Sequence, residues 1–232
     1  MRNHPEVPLS FGLFQDRHRV LVRGLLSNRA FLITSGGVKE LSMSSIADYG
    51  LESPARAYLV LALSVRDRAE HNAMDILHIQ KIIRYFEFLR DKKDIEYSNF
   101  KLGGVSYELQ ENLETLVESG LIARTGKNRL QLTEEGKQAA EELRAKITPD
   151  DLKKLTFSKQ QLNDLSSDEV MFFMYMLLPE TRENSTEAAR LLRRSKELTE
   201  SLFRKGRISS SIGAKWLNIP EVDFQNSLSK LH

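Results

Sequence analysis

Residues 120–143, GLIARTGKNRLQLTEEGKQAAEEL, decide the fold. Two short apolar runs flank the sequence TGKN at residues 125–128, which predicts two strands joined by a tight turn. Thr133 follows the second strand and precedes an amphipathic run. Its hydroxyl is therefore expected to cap a helix that extends to about residue 146. A β-hairpin thus separates two helices in a chain whose other segments are mostly helical.

Three helices are predicted upstream of this hairpin. The first begins at Ser53, which can cap free amide groups, and Pro54 suits its first turn. The second and most hydrophobic helix is predicted to start at Asn72, with Asp75 three residues on, and to extend to about residue 90. The third runs from the cap Ser106 to Gly120. Residues 53–147 are therefore interpreted as a winged-helix domain with the hairpin as its wing. An unrelated α+β hairpin is the alternative.

The segments that flank this domain are also predicted to be mostly helical. The predicted fold class is therefore mainly α, with a minor α+β part. Residues 148–185 are predicted as a helical extension, in which Ser166 and Glu169 form a capping box before a helix of core Met and Phe side chains. Residues 186–232 are predicted as a basic helix followed by a helix-turn-helix-like unit. Residues 1–52 remain unclear, although a helix over residues 16–26 and a strand over residues 30–34 are favoured.

Composition narrows the function classes. The formal net charge is only +2, so nucleic-acid affinity would have to come from local patches. The chain has no cysteine, which excludes disulfides, Cys-based zinc sites and thiol nucleophiles and favours a reducing, cytoplasmic location. The most apolar stretches are too short to cross a bilayer, so no membrane partner is expected.

Enzymatic chemistry finds little support in the sequence. The five histidines are scattered and form no metal-binding motif. The Ser-Gly-Gly sequence at residues 35–37 lacks the Lys-Ser/Thr pair of a phosphate-binding loop, so an ordinary turn is favoured. No catalytic residue, metal site or cofactor is predicted, and the chain is not expected to be an enzyme. An enzyme built on residues 30–50 is a third hypothesis without supporting chemistry.

Two groups of polar residues are candidates for DNA contact. They lie on the wing and in the basic C-terminal region, where cations and hydroxyls can reach phosphates. The wing group comprises Arg124, Lys127, Asn128 and Arg129, and the C-terminal group comprises Arg204, Lys205, Arg207, Ser210 and Lys215. A solvated turn and a salt-bridged helix face are the alternatives for the two groups.

The helix before the wing is acidic. Its outward positions are Glu108, Glu111, Glu114 and Glu118, and no Lys or Arg lies between Lys101 and Arg124. Carboxylates oppose the approach of a helix to DNA phosphates, so standard insertion into the major groove is disfavoured. These four glutamates are instead predicted to face a basic protein partner.

Residues 79–180 resemble a known family. The segments "IQKIIRYFEFLRDKKDIEYSNFKLGGVSYELQENLETLVESGLIART", "LTEEGKQAAEEL" and "LSSDEVMFFMYMLLPE" resemble the Panacea (SocA-like) antitoxin domain. The C-terminal "LFRKGRISSSIGAKWLNIPEVDFQNSL" is similar to the tail of another small, helix-turn-helix-like antitoxin family. The resemblance implies a non-enzymatic antitoxin or regulator with one surface for a protein partner, such as a toxin, and another for operator DNA.

These observations predict a winged-helix core with additional helices and a C-terminal helix-turn-helix-like extension. The expected function is a cytoplasmic, DNA-associated transcription regulator of antitoxin type. The alternative is a protein-interaction module, toxin-neutralising or scaffolding, that does not bind DNA. A homodimer is expected if DNA is bound, because paired modules match two half-sites.

Overall fold

The computed structural model describes residues 15–16, 19–23, 29–34, 37–42, 49–66, 73–98, 103–126 and 129–229. The chain divides into two compact units, Met1–Leu51 and Glu52–His232. The described chain is mainly helical, as predicted, and each unit contains one antiparallel sheet.

The first unit contains a four-stranded antiparallel sheet in the order β1-β2-β3-β4. Its strands are β1 (Gln15–Asp16), β2 (Arg19–Arg23), β3 (Arg29–Thr34) and β4 (Gly37–Ser42). The predicted strand at residues 30–34 is confirmed. The predicted helix over residues 16–26 is wrong, because residues 20–23 pair with β3 and contain two β-branched valines that favour a strand. Ser35 and Gly36 lie outside the described residues.

The second unit begins with three helices and a hairpin. These elements are α1 (Pro54–Ser64), α2 (Ile76–Arg90), α3 (Tyr107–Glu118), β5 (Ile122–Thr125) and β6 (Arg129–Leu132), followed by α4 (Glu134–Arg144). Strands β5 and β6 form the two-stranded ribbon. Met74, which lies between α1 and α2, adds a β-bridge to Leu130 of the ribbon. The predicted hairpin between two helices is confirmed.

Side chains at the first turns fix where these helices begin. Ser106 accepts a hydrogen bond from the amide of Leu109, and Thr133 accepts one from Gly136, so both predicted caps are confirmed. Asp75 caps α2 in the same way by accepting from His78, so the predicted start of this helix at Asn72 is three residues too early. Ser53 makes no side-chain capping bond, so its predicted capping role is wrong, although Pro54 does occupy the first turn of α1.

Six further helices and a 3₁₀ turn complete the described chain. They are α5 (Pro149–Leu162), α6 (Ser167–Leu177), the 3₁₀ turn Pro179–Arg182, α7 (Ala188–Arg193), α8 (Ser195–Arg204), α9 (Ser210–Leu217) and α10 (Glu221–Ser229). The capping box of Ser166 and Glu169 is confirmed. The single basic helix predicted up to residue 204 is broken at Arg194, whose backbone leaves helical geometry at φ −97° and ψ 15°.

Helix α2 lies at the centre of the second unit and contacts α1, α5 and α6. Its Ile79, Ile82 and Phe86 side chains are fully buried. On α6, Phe172 and Met174 are buried as well, which confirms their interpretation as core residues. Burial of these apolar side chains supplies the main stabilising free energy of the unit.

Two lysines are buried in this core. Lys159 donates to the carbonyl oxygens of Ala62 and Val65 at 2.9 Å and 2.6 Å, where α1 ends and its carbonyl groups lack helical partners. Lys81 donates to the carbonyls of Gly103 and Gly104 before α3. Burial lowers the pKa of the Lys81 amine to about 7, and nearby Arg84 acts in the same direction. Both lysines therefore tie main-chain segments together rather than face solvent.

Helices α9 and α10 pack around a single aromatic side chain. Phe224 is fully buried, lies edge-on to Phe203 with ring centroids 5.6 Å apart, and packs on Gly213. A Cβ atom at Gly213 would lie 2.6 Å from the Phe224 ring, so glycine is required for this close approach. Asn218 adopts a left-handed φ of 54° at the turn between the two helices. The predicted pair of short helices is confirmed.

Candidate nucleic-acid and protein interfaces

The ribbon has one buried and one exposed face. Ile122 and Leu130 are buried, whereas Arg124, Arg129 and Gln131 are exposed. In β6 the buried Leu130 lies between the exposed Arg129 and Gln131, as expected from the two-residue period of a strand that packs one face on a core. Arg129 lies on the exposed face, whereas Arg124 pairs with Leu130 across the ribbon and lies on the core-packed face, where its side chain extends to α3.

Arg124 is neutralised by the neighbouring acidic helix. Its guanidinium donates to the carboxylate of Glu114 on α3, and the two side chains remain 40% and 50% exposed. An exposed ion pair of this kind opens at little cost in free energy. Arg124 thus faces α3, and an external ligand can bind it in place of Glu114.

Arg129 contacts the main chain. Its guanidinium donates to the carbonyl oxygen of Ala73 at 2.8 Å, next to the bridge between Met74 and Leu130. Lys127 and Asn128, the other two ribbon residues predicted to contact DNA, lie outside the described residues. Both described ribbon arginines are therefore engaged within the chain.

Helix α3 presents a negative surface. Glu111, Glu114 and Glu118 are exposed and Glu108 is half-buried, while leucines on the opposite face enter the core. No cation is present on the helix itself. The four glutamates predicted to face a protein partner therefore lie on one element beside the ribbon.

Two of the C-terminal cations form ion pairs with carboxylates of the α5–α6 region. Arg207 is buried and donates to Asp164 at 2.6 Å, so its predicted contact with DNA is wrong because the guanidinium does not reach the surface. Lys205 donates to the buried carboxylate of Glu169 at 2.7 Å. Arg204 lies 3.9 Å from Glu200.

Glu169 is held by several donors. It accepts from the backbone amide and hydroxyl of Ser166, and from Ser201 on α8 at 2.6 Å. Burial would raise the pKa of the Glu169 carboxyl, but the hydrogen bonds from Lys205, Ser201 and Ser166 lower it to about 2. The carboxylate consequently stays ionised and joins α6 to α8.

Asp168 is the centre of a neighbouring ion-pair network. Arg190 donates to both of its carboxylate oxygens, Arg194 donates to one, and Glu187 and Glu197 pair with the same two arginines. Hydrogen bonds from Arg190 are the main reason that the pKa of Asp168 falls to about 2. The basic stretch of sequence is therefore largely a set of intramolecular ion pairs.

Few cations of this region remain unpaired. Among the described residues, Arg193, Lys196 and Lys215 are exposed and form no ion pair. Ser210, a predicted DNA contact, donates to Glu221 at the start of α10. The exposed carboxylates of Glu221 and Asp223 would oppose the approach of this helix to phosphates.

The carboxylates that pair with the C-terminal cations could not be predicted from the sequence. Asp164, Asp168 and Glu169 lie between 22 and 43 residues from the arginines and lysine that they hold. Only Glu169 carried a signal, its position in the capping box, and that signal concerns the start of α6. Pairing across such separations follows from the tertiary fold.

An open groove of about 890 Å³ lies between the end of α1, the ribbon and α4. Two of its cations are balanced locally, since Lys137 pairs with Glu134 and Arg144 pairs with Glu141. Within the described ranges, no group of His, Asp or Glu side chains is arranged to hold a metal ion. No helix there combines the length and apolar character needed to span a bilayer.

No family model, curated protein or solved structure matches this chain. The resemblance to the Panacea antitoxin domain stays a prediction.

Proposed function

We propose that this chain is a non-catalytic regulatory protein of antitoxin type that acts by binding a basic protein partner. The order of its elements supports a winged-helix module: α1, the bridging Met74, α2, α3 and then the ribbon. In this interpretation α3 occupies the place of the recognition helix and the ribbon is the wing.

The exposed surface of α3 carries the proposal. A recognition helix that enters the major groove must approach two rows of phosphates, and its cations supply most of the nonspecific affinity. Helix α3 instead exposes Glu111, Glu114 and Glu118, and the nearest described ribbon cation, Arg124, pairs with Glu114. A negative helix next to a pairable arginine suits a partner that brings its own lysines or arginines.

Removing negative charges from α3 tests the proposal. Proteins captured from the source cells by the wild-type chain are compared with those captured by the triple variant Glu111→Gln, Glu114→Gln and Glu118→Gln. We expect the partner to be a basic protein, and its affinity to fall at least about tenfold in the variant, because rim charges control association and salt dependence. Co-expression should show whether the captured protein is a toxin that this chain neutralises.

A control variant separates the α3 surface from overall charge. Glu135, Glu142 and Glu183 are exposed glutamates outside α3, and changing them to Gln removes the same number of charges. The control should bind the partner as the wild type does. Equal binding by the α3 variant, or an acidic partner, contradicts the proposal.

A DNA-associated regulator is the second candidate. Helices α9 and α10 meet at a tight turn in a helix-turn-helix-like arrangement, and Lys215 on α9 is exposed and unpaired. Arg193 at the end of α7 and Lys196 in the first turn of α8 are also exposed cations without an ion pair among the described residues. These side chains favour phosphate contact, and a homodimer would then present two such units to paired half-sites.

Mobility-shift assays at low and moderate salt distinguish the two candidates. DNA binding that is lost on changing Arg193, Lys196 and Lys215 to Ala supports the C-terminal unit as the DNA contact. DNA binding that is lost on changing Arg124, Lys127 and Arg129 to Ala supports the ribbon as the DNA contact. If no DNA is bound even at low salt, only the protein-binding function remains, because counterion release favours DNA binding most strongly at low salt.

A further inference from the structure

His78 has a hydrogen-bond acceptor at each ring nitrogen. It lies in the first turn of α2 and is buried. Its Nδ1 atom is 2.8 Å and 2.9 Å from the two carboxylate oxygens of Asp75, and its Nε2 atom is 2.8 Å from the carbonyl oxygen of Leu165. Carboxylate and carbonyl oxygens at these sites accept hydrogen bonds, so both ring nitrogens must donate for both contacts to form.

A neutral imidazole carries only one N–H group, so the full set of contacts requires the imidazolium form. Burial lowers the pKa of His78, but the hydrogen bond and charge of Asp75 and the Leu165 carbonyl raise it above its ordinary value. Arg129 on the ribbon acts in the opposite direction. Asp75 and Arg129 are the charged groups with the largest influence on this ring.

The residues on the Asp75 side of His78 attach the ribbon. We define the anchor segment as residues 73–75, immediately before α2. Met74 exchanges two backbone hydrogen bonds with Leu130, at 3.1 Å and 2.7 Å, and the carbonyl of Ala73 accepts from Arg129. Asp75 completes the segment by capping α2 and binding His78.

The Leu165 side of His78 belongs to the junction between α5 and α6. Leu165 follows Asp164, which holds the buried Arg207, and precedes Ser166, which caps α6. The imidazole therefore connects the base of the ribbon with the loop that receives the C-terminal region.

We propose that His78 is a proton-dependent clamp that fastens the anchor segment, and with it the ribbon, to the α5–α6 junction. When the ring loses a proton, the remaining N–H stays with the carboxylate of Asp75. The lone pair of Nε2 then faces the carbonyl oxygen of Leu165, and this contact is lost. The clamp goes beyond the proposed function, because it operates whichever partner the ribbon and α3 bind.

The direction of the pH effect follows from linkage. Protonation of His78 is more favourable in the folded chain than in the unfolded chain, so its contribution is fully present below the ordinary histidine pKa of about 6.5. It is lost as the pH rises through the folded-state pKa. The ribbon should consequently be held more tightly under mildly acidic conditions than under alkaline ones.

Nuclear magnetic resonance can observe both the ring and the ribbon. Imidazole ¹⁵N shifts report which ring nitrogens carry protons, and exchange protection of the Leu130 amide reports its bond to Met74. We expect both His78 nitrogens to be protonated on the acidic side of its titration, and Leu130 protection to fall roughly fivefold as His78 loses its proton, the ratio expected for one hydrogen bond. Protection of the Lys205 amide, which donates to the carbonyl of Ser201 at the end of α8, should not follow this titration.

Two variants keep the clamp falsifiable. In His78→Gln, Leu130 protection should lose its pH dependence because glutamine does not titrate. In Asp75→Asn, the cap of α2 is retained, and the His78 titration should move to lower pH because the carboxylate charge is gone. A singly protonated ring throughout, or an unchanged Leu130 profile in His78→Gln, overturns the proposal. If His78→Gln does not fold, an unchanged titration midpoint in Asp75→Asn overturns it instead.

Discussion

The ribbon and the C-terminal region are both basic in sequence, yet they use their cations differently. On the ribbon, Arg124 pairs with Glu114 while both side chains stay about half exposed to solvent. In the C-terminal region, the buried Arg207 pairs with Asp164, and Lys205 pairs with the buried carboxylate of Glu169. Whether a cation is available to a ligand is therefore decided by the burial of the pair.

The two regions are also held together differently. Besides its buried Ile122 and Leu130 side chains, the ribbon is attached by main-chain contacts, namely the bridge at Met74 and the close approach of Gly136 to Leu121. The C-terminal helices depend on side chains, chiefly the buried Phe224 and the hydrogen-bonded Glu169. Charged ribbon side chains can consequently change with little effect on folding, which leaves them free to serve binding.

Phe224→Ala should give the largest effect and tests how far the C-terminal helices depend on one side chain. Deleting a fully buried ring removes its transfer free energy and leaves a cavity between α9 and α10. We expect the free energy of unfolding to fall by about 4 kcal/mol in denaturant titrations. Phe157→Ala is the control, because that ring is 44% exposed, and it should cost less than about 1 kcal/mol. Similar losses in both variants would refute this dependence.

Gly136→Ala tests the main-chain attachment of the ribbon. A Cβ atom at Gly136 would lie 2.1 Å from the carbonyl oxygen of Leu121, so α4 and the ribbon would have to separate. The expected destabilisation is about 3 kcal/mol, measured by chemical denaturation. At Gly126 nothing lies within 4 Å of such an atom, so Gly126→Ala should be nearly neutral. A neutral Gly136→Ala would show that the ribbon is not tightly attached.

Glu169→Gln tests, through the pH dependence of stability, how much the C-terminal region depends on a buried charge. Because the folded-state pKa of Glu169 is about 2, against an ordinary 4.5, the ionised group stabilises the chain above pH 4.5 and loses this effect as the pH falls toward 2. Glutamine preserves the capping box but carries no charge. The variant should be less stable by roughly 2 kcal/mol at pH 7, and the difference should shrink in acid. A constant difference across this range would argue against the charged contacts.

The pair Arg124 and Glu114 should give the smallest effect. A double-mutant cycle with Arg124→Ala and Glu114→Ala is expected to yield a coupling energy of about 0.5 kcal/mol, since both side chains are exposed. The coupling should weaken further at high salt. A coupling above about 2 kcal/mol would mean that the ribbon uses its charges structurally, as the C-terminal region does.

Local features of this fold could be predicted from the sequence. The caps at Ser106, Thr133 and Ser166 were predicted because each bonds an amide three residues away, within one turn. The hairpin followed from its turn sequence, and the order of elements around it followed from apolar periodicity.

Features that depend on distant partners could not be predicted in this way. The sequence predicts a helix where strand β2 lies, because the pattern within this segment does not reveal its pairing with β3. The burial of Arg207 depends on Asp164, 43 residues earlier, and the contact between His78 and Leu165 spans 87 residues. Of the candidate site, the acidic face of α3 could be predicted because it lies on one helix, whereas the ion pairs that occupy the cations could not.

The aromatic contact beneath α9 gives the C-terminal region an optical label of its own. Trp216 is the only tryptophan in the chain, and its indole lies edge-on to Phe172 and Phe173 with ring centroids 6.0 Å and 5.8 Å apart. Its fluorescence emission should shift to longer wavelength when α9 leaves α6 and water reaches the indole. Detachment of the C-terminal helices can thus be followed in the unmodified protein, without a dye.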